Sequence, residues 1–414
     1  MMVETTTEEP TTQALPIREP IAPFEDWGIS MAAQGFFWNP ETYESRDDSP
    51  FTKEELAKLA QQTTLRLGYD TKSLADLPKY FPNLRSLDIL GRYYSEVTEE
   101  QLTLIAGLGL KALTLRMNAP VDPKPFANLP YLNITSNAFD DADERIPADT
   151  GLAKHSVLGE QFIKNKIDGV LIEYLRVNYG GRLYELFVKA PSMAISEHNG
   201  EEYLPIDQAE AWLFICKKAG QSYSCIDSYG PLPRYAYYNG IHGGLALADA
   251  NFDGREDILI LYAVEGVESR PYYHALLQQP NGKYKLCESF REIPHPELCA
   301  RDNTVMGSAR GGMGARYYEL YAYQNESFVN IESLYRHWVF AGENEDGSSE
   351  GFDAYDVTAS DDTKKTTYSP ETHSEAYLKK VFLDDNSKWG LNSDKWLHLS
   401  EIENEMIMKI ISDK

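Results

Sequence analysis

The segment Asp249-Ala-Asn-Phe-Asp-Gly-Arg-Glu-Asp257 runs directly into Ile-Leu-Ile-Leu-Tyr262. This juxtaposition holds the local chain to one arrangement, an acidic turn that delivers a buried β-strand. Asp249, Asn251 and Asp253 stand at alternate positions and can point three side-chain oxygens into one concavity. Gly254 supplies the positive φ of a tight turn, Arg255 offers its carbonyl, and Asp257 closes the shell. All the donors are oxygens, which suits a hard cation and makes Ca2+ the expected ligand. An EF-hand would need a bidentate Glu at the twelfth loop position and a helix beyond it. That position is Ile260, inside a β-branched apolar run, so the turn belongs between strands. An acidic turn without an ion is the alternative reading.

Upstream, LxxLxL-like patterns recur at Leu84, Leu87 and Ile89, at Leu110, Leu113 and Leu115, and at Leu129, Leu132 and Ile134, after a partial copy at Leu65 and Leu67. Leu87 and Leu113 are 26 residues apart and Leu113 and Leu132 are 19 apart, which is leucine-rich-repeat spacing. Thr52-Lys-Glu-Glu55 and Thr98-Glu-Glu-Gln101 read as capping boxes that open helices between the strands. From about residue 165 to 340 the chain turns to aromatic and β-branched runs broken by Gly, Pro and Asn, about ten strands in all. Asn281-Gly282 marks a hairpin. Ser374 to Leu383 and Ser400 to Ile411 read as amphipathic helices. The second is opened by a Ser400–Glu403 box and carries Ile402, Met406, Ile410 and Ile411 as a docking stripe onto the β-rich region.

These signals predict an α+β multidomain chain: a short leucine-rich-repeat-like α/β solenoid, then a calcium-binding β-propeller-like domain, then C-terminal helices. The expected divisions are a disordered linker over 1–24, the leucine-rich-repeat-like region over 25–140, the β-rich domain over 141–342, and an acidic loop with helices over 343–414.

With 39 Lys and Arg against 64 Asp and Glu, the net charge is −25. That argues against nucleic acid and favours metal ions or cationic partners. Residues 343–362 hold eight acids and no Lys or Arg, so this stretch reads as a solvated loop in which Asp346-Gly347 is a second ion candidate. No apolar run is long enough to span a bilayer. The Thr-, Glu- and Pro-rich start resembles the linker behind the lipid-bearing Cys of an exported lipoprotein, which implies a possible lipid anchor upstream of residue 1. A frayed N-terminus is the alternative. Cys216 and Cys225 flank the polar Lys217–Gln221 turn and should face each other in a hairpin, within disulfide reach. Neighbour pairing would then join Cys287 to Cys299, with reduced thiols as the alternative. No CxxC pair occurs and the eight His are scattered singly, so no zinc site is expected.

From Gly243 onwards the order of elements carries a resemblance: a Gly-rich start, ALADANFDGREDILIL, an aromatic YYH strand, ESFREIPHPE, then MGSARGGMGARYYELYAYQNESFVNIESL. It resembles bacterial extracytoplasmic proteins with an FG-GAP/VCBS-like, calcium-bearing, propeller-like β domain. That family includes an immunity lipoprotein directed against a peptidoglycan-cleaving effector of a type IV secretion system. The resemblance implies calcium ligation by Asp249, Asn251, Asp253, the Arg255 carbonyl and Asp257. It also implies a periplasmic or cell-surface inhibitor whose partner is a secreted toxin.

Ser308 to Gly314 is a glycine-dense loop before an aromatic strand. Arg310, Tyr317 and Tyr318 are therefore candidate partner-binding residues, with simple turn geometry as the alternative. There is no G-x-S-x-G elbow, P-loop or H-E-x-x-H, so no enzymatic role is expected. The alternative function is a surface adhesion or glycan-binding protein that uses the leucine-rich face.

Overall fold

The structure, a computed structural model, describes residues 21–38, 48–68, 71, 73–90, 98–117, 124–126, 128–136, 146–147, 170–190, 196–198, 201–204, 209–220, 222–234, 244–265, 270–311, 315–343, 349–359, 365–391 and 393–413. Most of the proposed linker, His242-Gly243, Gly312 to Gly314 and Asp346-Gly347 lie outside the described residues. The chain is mostly β-sheet with few helices, arranged in several open sheets.

The first sheet begins with β1 (Thr64–Leu67), β2 (Ser86–Leu90), β3 (Ala112–Met117) and β4 (Tyr131–Ser136), which are parallel. Their register places Leu65 on Leu87, Leu87 on Leu113, and Leu113 on Leu132, so the spaced leucines of the sequence form one buried row. Parallel strands need crossover connections. The β2–β3 crossover carries α4 (Glu99–Gly107), and α2 (Lys53–Leu59) precedes β1. Both helices follow α1 (Trp27–Gly35) or the short α3 (Leu77–Tyr80) in the chain, and both open with the expected capping boxes at Thr52 and Thr98. Beyond the two-residue β5 (Ile146–Pro147), the same sheet continues antiparallel through β6 (Val170–Tyr179) and β7 (Arg182–Ala190). The short β8 (Ser196–His198) and β9 (Glu201–Leu204) pair with β5 in a separate sheet. The main sheet ends with β10 (Glu210–Ala219) and β11 (Ser222–Pro233), giving eight strands in all. The leucine-patterned strands and the first antiparallel strands therefore share one backbone ladder across residue 140.

A four-stranded antiparallel sheet follows: β12 (Leu245–Ala248), β13 (Asp257–Glu265), β14 (Arg270–Gln278) and β15 (Tyr284–Cys287). The Asn281-Gly282 hairpin joins β14 to β15 as expected. Gly282 takes φ 78° and the Asn281 side chain accepts from Lys283 N at 2.9 Å. The third sheet runs through β16 (Glu297–Cys299), β17 (Thr304–Arg310), β18 (Arg316–Gln324), β19 (Ser327–Glu343), β20 (Ser349–Ala359) and β21 (Lys365–Tyr368), and takes β22 (Leu397–His398) on the far side of β16.

Two expectations are corrected here. Much of the acidic 343–362 stretch is β20, because its acids have cross-strand partners. Asp356 bonds Thr367 at 2.6 Å and Lys365 at 2.8 Å, and Asp353 pairs with Arg336, while Tyr355 turns into the core. The C-terminal helix spans Leu399–Ser412 and starts behind His398, whose N–H bonds Glu401 at 3.3 Å. The box therefore lies two residues before the expected one. Glu403 is buried and accepts from the Tyr131 hydroxyl at 2.8 Å.

The docking stripe itself is as expected. Met406, Ile410 and Ile411 share a core with Leu175 and Ile215 of the first sheet and with Leu245, Ile258 and Leu276 of the second. Ile402 joins the adjoining core with Leu298 and Phe328. Met406→Ala should cost about 2–4 kcal/mol in denaturant unfolding, whereas Met408→Ala, at a side chain 49% exposed, should stay within about 0.5 kcal/mol of wild type.

Candidate functional site

The Asp249–Asp257 turn connects β12 to β13, where the sequence placed it, and its side chains are organised mainly by the loop's own backbone. Asp249 accepts from Asp253 N at 2.9 Å and from Gly254 N at 2.8 Å. Asn251 Oδ1 accepts from Asp253 N at 3.3 Å, and Asp253 Oδ1 accepts from Arg255 N at 3.0 Å. Gly254 takes φ 84° and Phe252 φ 61°. Phe252 thereby packs its ring against the core of the second sheet and fixes the loop to it.

Asp257 differs from the other two acids. It is fully buried, and its two oxygens accept from Ala250 N at 2.9 Å and Gln278 N at 2.7 Å. One carboxylate thus ties the start of the loop to the end of β14. Burial pushes its pKa up to about 6 despite those donors. At neutral pH the ionised form costs the fold on the order of 2–3 kcal/mol, because between about pH 4 and 6 the folded state holds a proton that the unfolded chain has released. Stability from this group falls as pH rises through that window, and a bound cation would offset the loss.

The oxygen-only donor set and its three carboxylates fit a hard divalent ion. The side chains do not converge into a closed shell in this structure. Asp253 is ion-paired with the Arg255 guanidinium, which also donates to the Gln278 carbonyl at 2.8 Å. Ligation would require Arg255 to release Asp253, leaving Asp249, Asn251 and Asp253 at the mouth and Asp257 beneath. When bound, calcium would supply charge neutralisation to this turn.

Beside the loop lies a cleft of about 560 Å³ between β12, the β16–β22 pair and the C-terminal helix. Asp249, Phe252, Leu298, Leu397, Ile402 and Glu405 are among its walls. It assembles residues from opposite ends of the β-rich region, so no local sequence pattern could have revealed it.

The partner-binding candidates separate. Arg310 ends β17 on an exposed edge, paired in register with Arg316. Tyr317 and Tyr318 are successive residues of β18 and so point to opposite faces. Tyr317 is 48% exposed and Tyr318 is buried with Leu320, Leu334 and Trp389. The joint surface expected from the two tyrosines is therefore split, and Tyr318 is a core residue. Two residues missed from the sequence take its place. Tyr335 stacks on Tyr317 at 4.5 Å between ring centroids, and His337 stacks on Tyr335 at 4.8 Å. The signal was present, since Tyr335 and His337 are two apart on one strand and Tyr317 is the cross-strand partner of Tyr335. Gly311 backs the ladder, where a Cβ would come within 3.0 Å of the Tyr317 ring.

Cys216 and Cys225 are direct cross-strand partners in the β10–β11 hairpin, as expected. All four cysteines are thiols. Burial, with Cys225 as the next contribution, pushes the Cys216 thiol up to about 12. Cys287 and Cys299 sit in separate cores, one at the end of the second sheet and the other at the start of the third, so the expected neighbour pairing between them is not formed.

No protein-family model and no curated protein matches the chain. Among solved structures, one described as a Xanthomonas type IV secretion system related protein is similar at 15% identity and a TM-score of 0.30. The similarity covers 47% of this chain and 92% of that one. No helix among the described residues is long and apolar enough to cross a membrane.

Asp257→Ala should destabilise the protein by about 2–4 kcal/mol with or without calcium, because two buried N–H groups lose their acceptor. Asp249→Ala should remove calcium binding at a smaller stability cost. In calorimetry, wild-type calcium affinity should fall as pH is lowered through about 6, since binding must displace the Asp257 proton; a pH-independent affinity would contradict ligation by this residue. Mild oxidation followed by peptide mass spectrometry should link Cys216 to Cys225 and leave Cys287 and Cys299 alkylatable.

Proposed function

We propose that this chain is a non-enzymatic, calcium-binding inhibitor, an exported immunity protein that neutralises a secreted antibacterial toxin by occluding its active site. The observation that carries the reading is the Tyr317–Tyr335–His337 ladder on the third sheet. These are stiff aromatic side chains held in a row on an open sheet face, with Val329 and Ile331 exposed farther along β19. Such rigid aromatic area is the composition of binding hot spots, and little side-chain entropy is lost when it docks. The net charge of −25 suits a basic partner and speeds encounter with it. In this reading calcium at the Asp249–Asp257 turn stiffens the second sheet of a propeller-like domain, and the periplasm or cell surface supplies the ion.

A second reading, adhesion or glycan binding on the leucine-rich-like face, is favoured by one observation. A groove of about 400 Å³ crosses the parallel strands, and its lining includes Thr64, Arg66, Ser86, Asp88, Thr114 and Asn404. These hydroxyl, carboxylate, guanidinium and amide groups suit sugar hydroxyls.

The purified chain should capture a toxin from the secreted fraction of competing bacteria and inhibit its cell-wall or lipid hydrolysis. Tyr317→Ala or Arg310→Ala should raise the inhibitory concentration by about 30-fold, equivalent to about 2 kcal/mol. Capture of glycans alone, sensitive to Arg66→Ala and indifferent to Tyr317→Ala, would replace the inhibitor reading with the adhesion one.

A further inference from the structure

We propose that His295, Glu297 and His398 form a second metal site, specific for a divalent transition-metal ion of the zinc type and leaving one coordination position to water. The eight His are scattered in sequence, but the fold brings two of them to one buried carboxylate. One ligand atom from each of the three residues lies within 4.8 Å of the other two. Glu297 Oε1 and His398 Nδ1 are 3.4 Å apart, close to the roughly 3.3 Å edge of a tetrahedron built on zinc bonds of about 2.0–2.1 Å.

Three separate backbone constraints hold the group together. Glu297 on β16 and His398 on β22 are direct cross-strand partners, so their side chains rise from the same face. His295 lies two residues before Glu297, between Pro294 and Pro296, with φ 45°. Its N–H bonds Pro271 O at 2.8 Å, and Ser308 N bonds Pro294 O at 2.9 Å. The ring of His295 is oriented further by Ser308 Oγ, 3.3 Å from Nδ1. Such a hydroxyl contact is the outer-sphere pattern expected around a metal-binding imidazole. The two imidazoles are stacked 5.5 Å apart at 29°. Glu297 is only 7% exposed, and its neighbouring charges, Arg316 and Glu401, act on it with opposite signs.

Two imidazoles and one carboxylate form a borderline donor set that selects zinc over calcium or magnesium. The site is therefore chemically independent of the all-oxygen turn at Asp249, and the calcium reading can fail without touching it. Ligation would fasten the start of the C-terminal helix, through His398, to the first strand of the third sheet.

The test is zinc titration of the chelator-stripped full chain near neutral pH, by calorimetry, with Co2+ as a spectroscopic probe. One equivalent should bind with a dissociation constant of about 1 µM or tighter. H295A and H398A should each weaken binding at least tenfold, and E297Q should do so as well. The visible bands of tetrahedral Co2+ should appear in wild type and vanish in H295A, while C216S/C225S should bind as wild type does. Because His398 caps a helix, melting in EDTA verifies that H398A folds, and H295A decides the matter if it does not. Binding weaker than about 100 µM, unchanged affinity in H295A, or loss of binding in C216S/C225S would overturn the proposal.

Discussion

The fold depends on the apolar seam into which the C-terminal helix lays Met406, Ile410 and Ile411. The first sheet is buried on both faces. One face carries Tyr174, Leu183 and Phe187 against the helices of the parallel ladder, and the other carries Leu175, Tyr184 and Leu186. That second face needs a cover, and it is supplied jointly by the four-stranded sheet, through Leu245, Ile258 and Leu276, and by the helix. The helix is also tied across the seam by Tyr131, which donates to Glu403 at 2.8 Å. A segment at the far end of the chain thus completes the core begun by strands some 200 residues earlier. The parts on either side of residue 140 are consequently bound by burial as well as by a shared ladder.

An acidic chain must also dispose of the carboxylates it buries, and three of them are given specific donors. Asp257 takes two backbone N–H groups. Glu173 is paired with Arg234, whose guanidinium also reaches the Leu261 carbonyl. Glu185 accepts from the Tyr174 hydroxyl at 2.6 Å, with Arg176 at 3.7 Å, and burial still raises its pKa. Removing one partner from such a group leaves a desolvated charge, so these pairs fix register more firmly than they add net stability. Asp257 is the one among them whose neighbours include further acids in a solvent-facing turn, and for that reason its burial can be coupled to an ion.

Local pattern was legible wherever one period dominates. The leucine rows of β1 to β4, the caps at Thr52 and Thr98, the Asn281-Gly282 hairpin, the Cys216–Cys225 opposition and the apolar stripe of the last helix all follow from spacing within a few residues. What could not be read depends on pairing between distant segments. Residues 343–362 looked like a solvated loop because the cross-strand cations and hydroxyls that hold Asp353 and Asp356 lie on neighbouring strands. Tyr317 and Tyr318 looked like one aromatic patch until β18 set them on opposite faces, and Tyr335 entered only through the register with β19. The calcium-type turn was legible as a set of donors. The use of its oxygens by the loop's own N–H groups, and the diversion of Arg255 to Asp253, were not.

The same alternation explains why the β16–β22 pair matters to both candidate ion sites. Leu298 and Leu397 are cross-strand partners, as are Glu297 and His398, one residue along each strand. Successive side chains face opposite ways. Leu298 and Leu397 therefore line the cleft shared with Asp249 and Phe252, while Glu297 and His398 stand on the reverse side with His295. β16 is also fixed by its pairing with β17, so a shift of one residue by β22 would exchange the faces of that strand, placing the His398 imidazole in the apolar cleft and Leu397 among the polar group. The short ladder has few hydrogen bonds with which to resist such a slip. Its register is therefore held mainly by what flanks it: the Pro294-His295-Pro296 bend on one side and the docked helix beginning at Leu399 on the other. The seam that completes the core thus also sets the geometry of the histidine cluster.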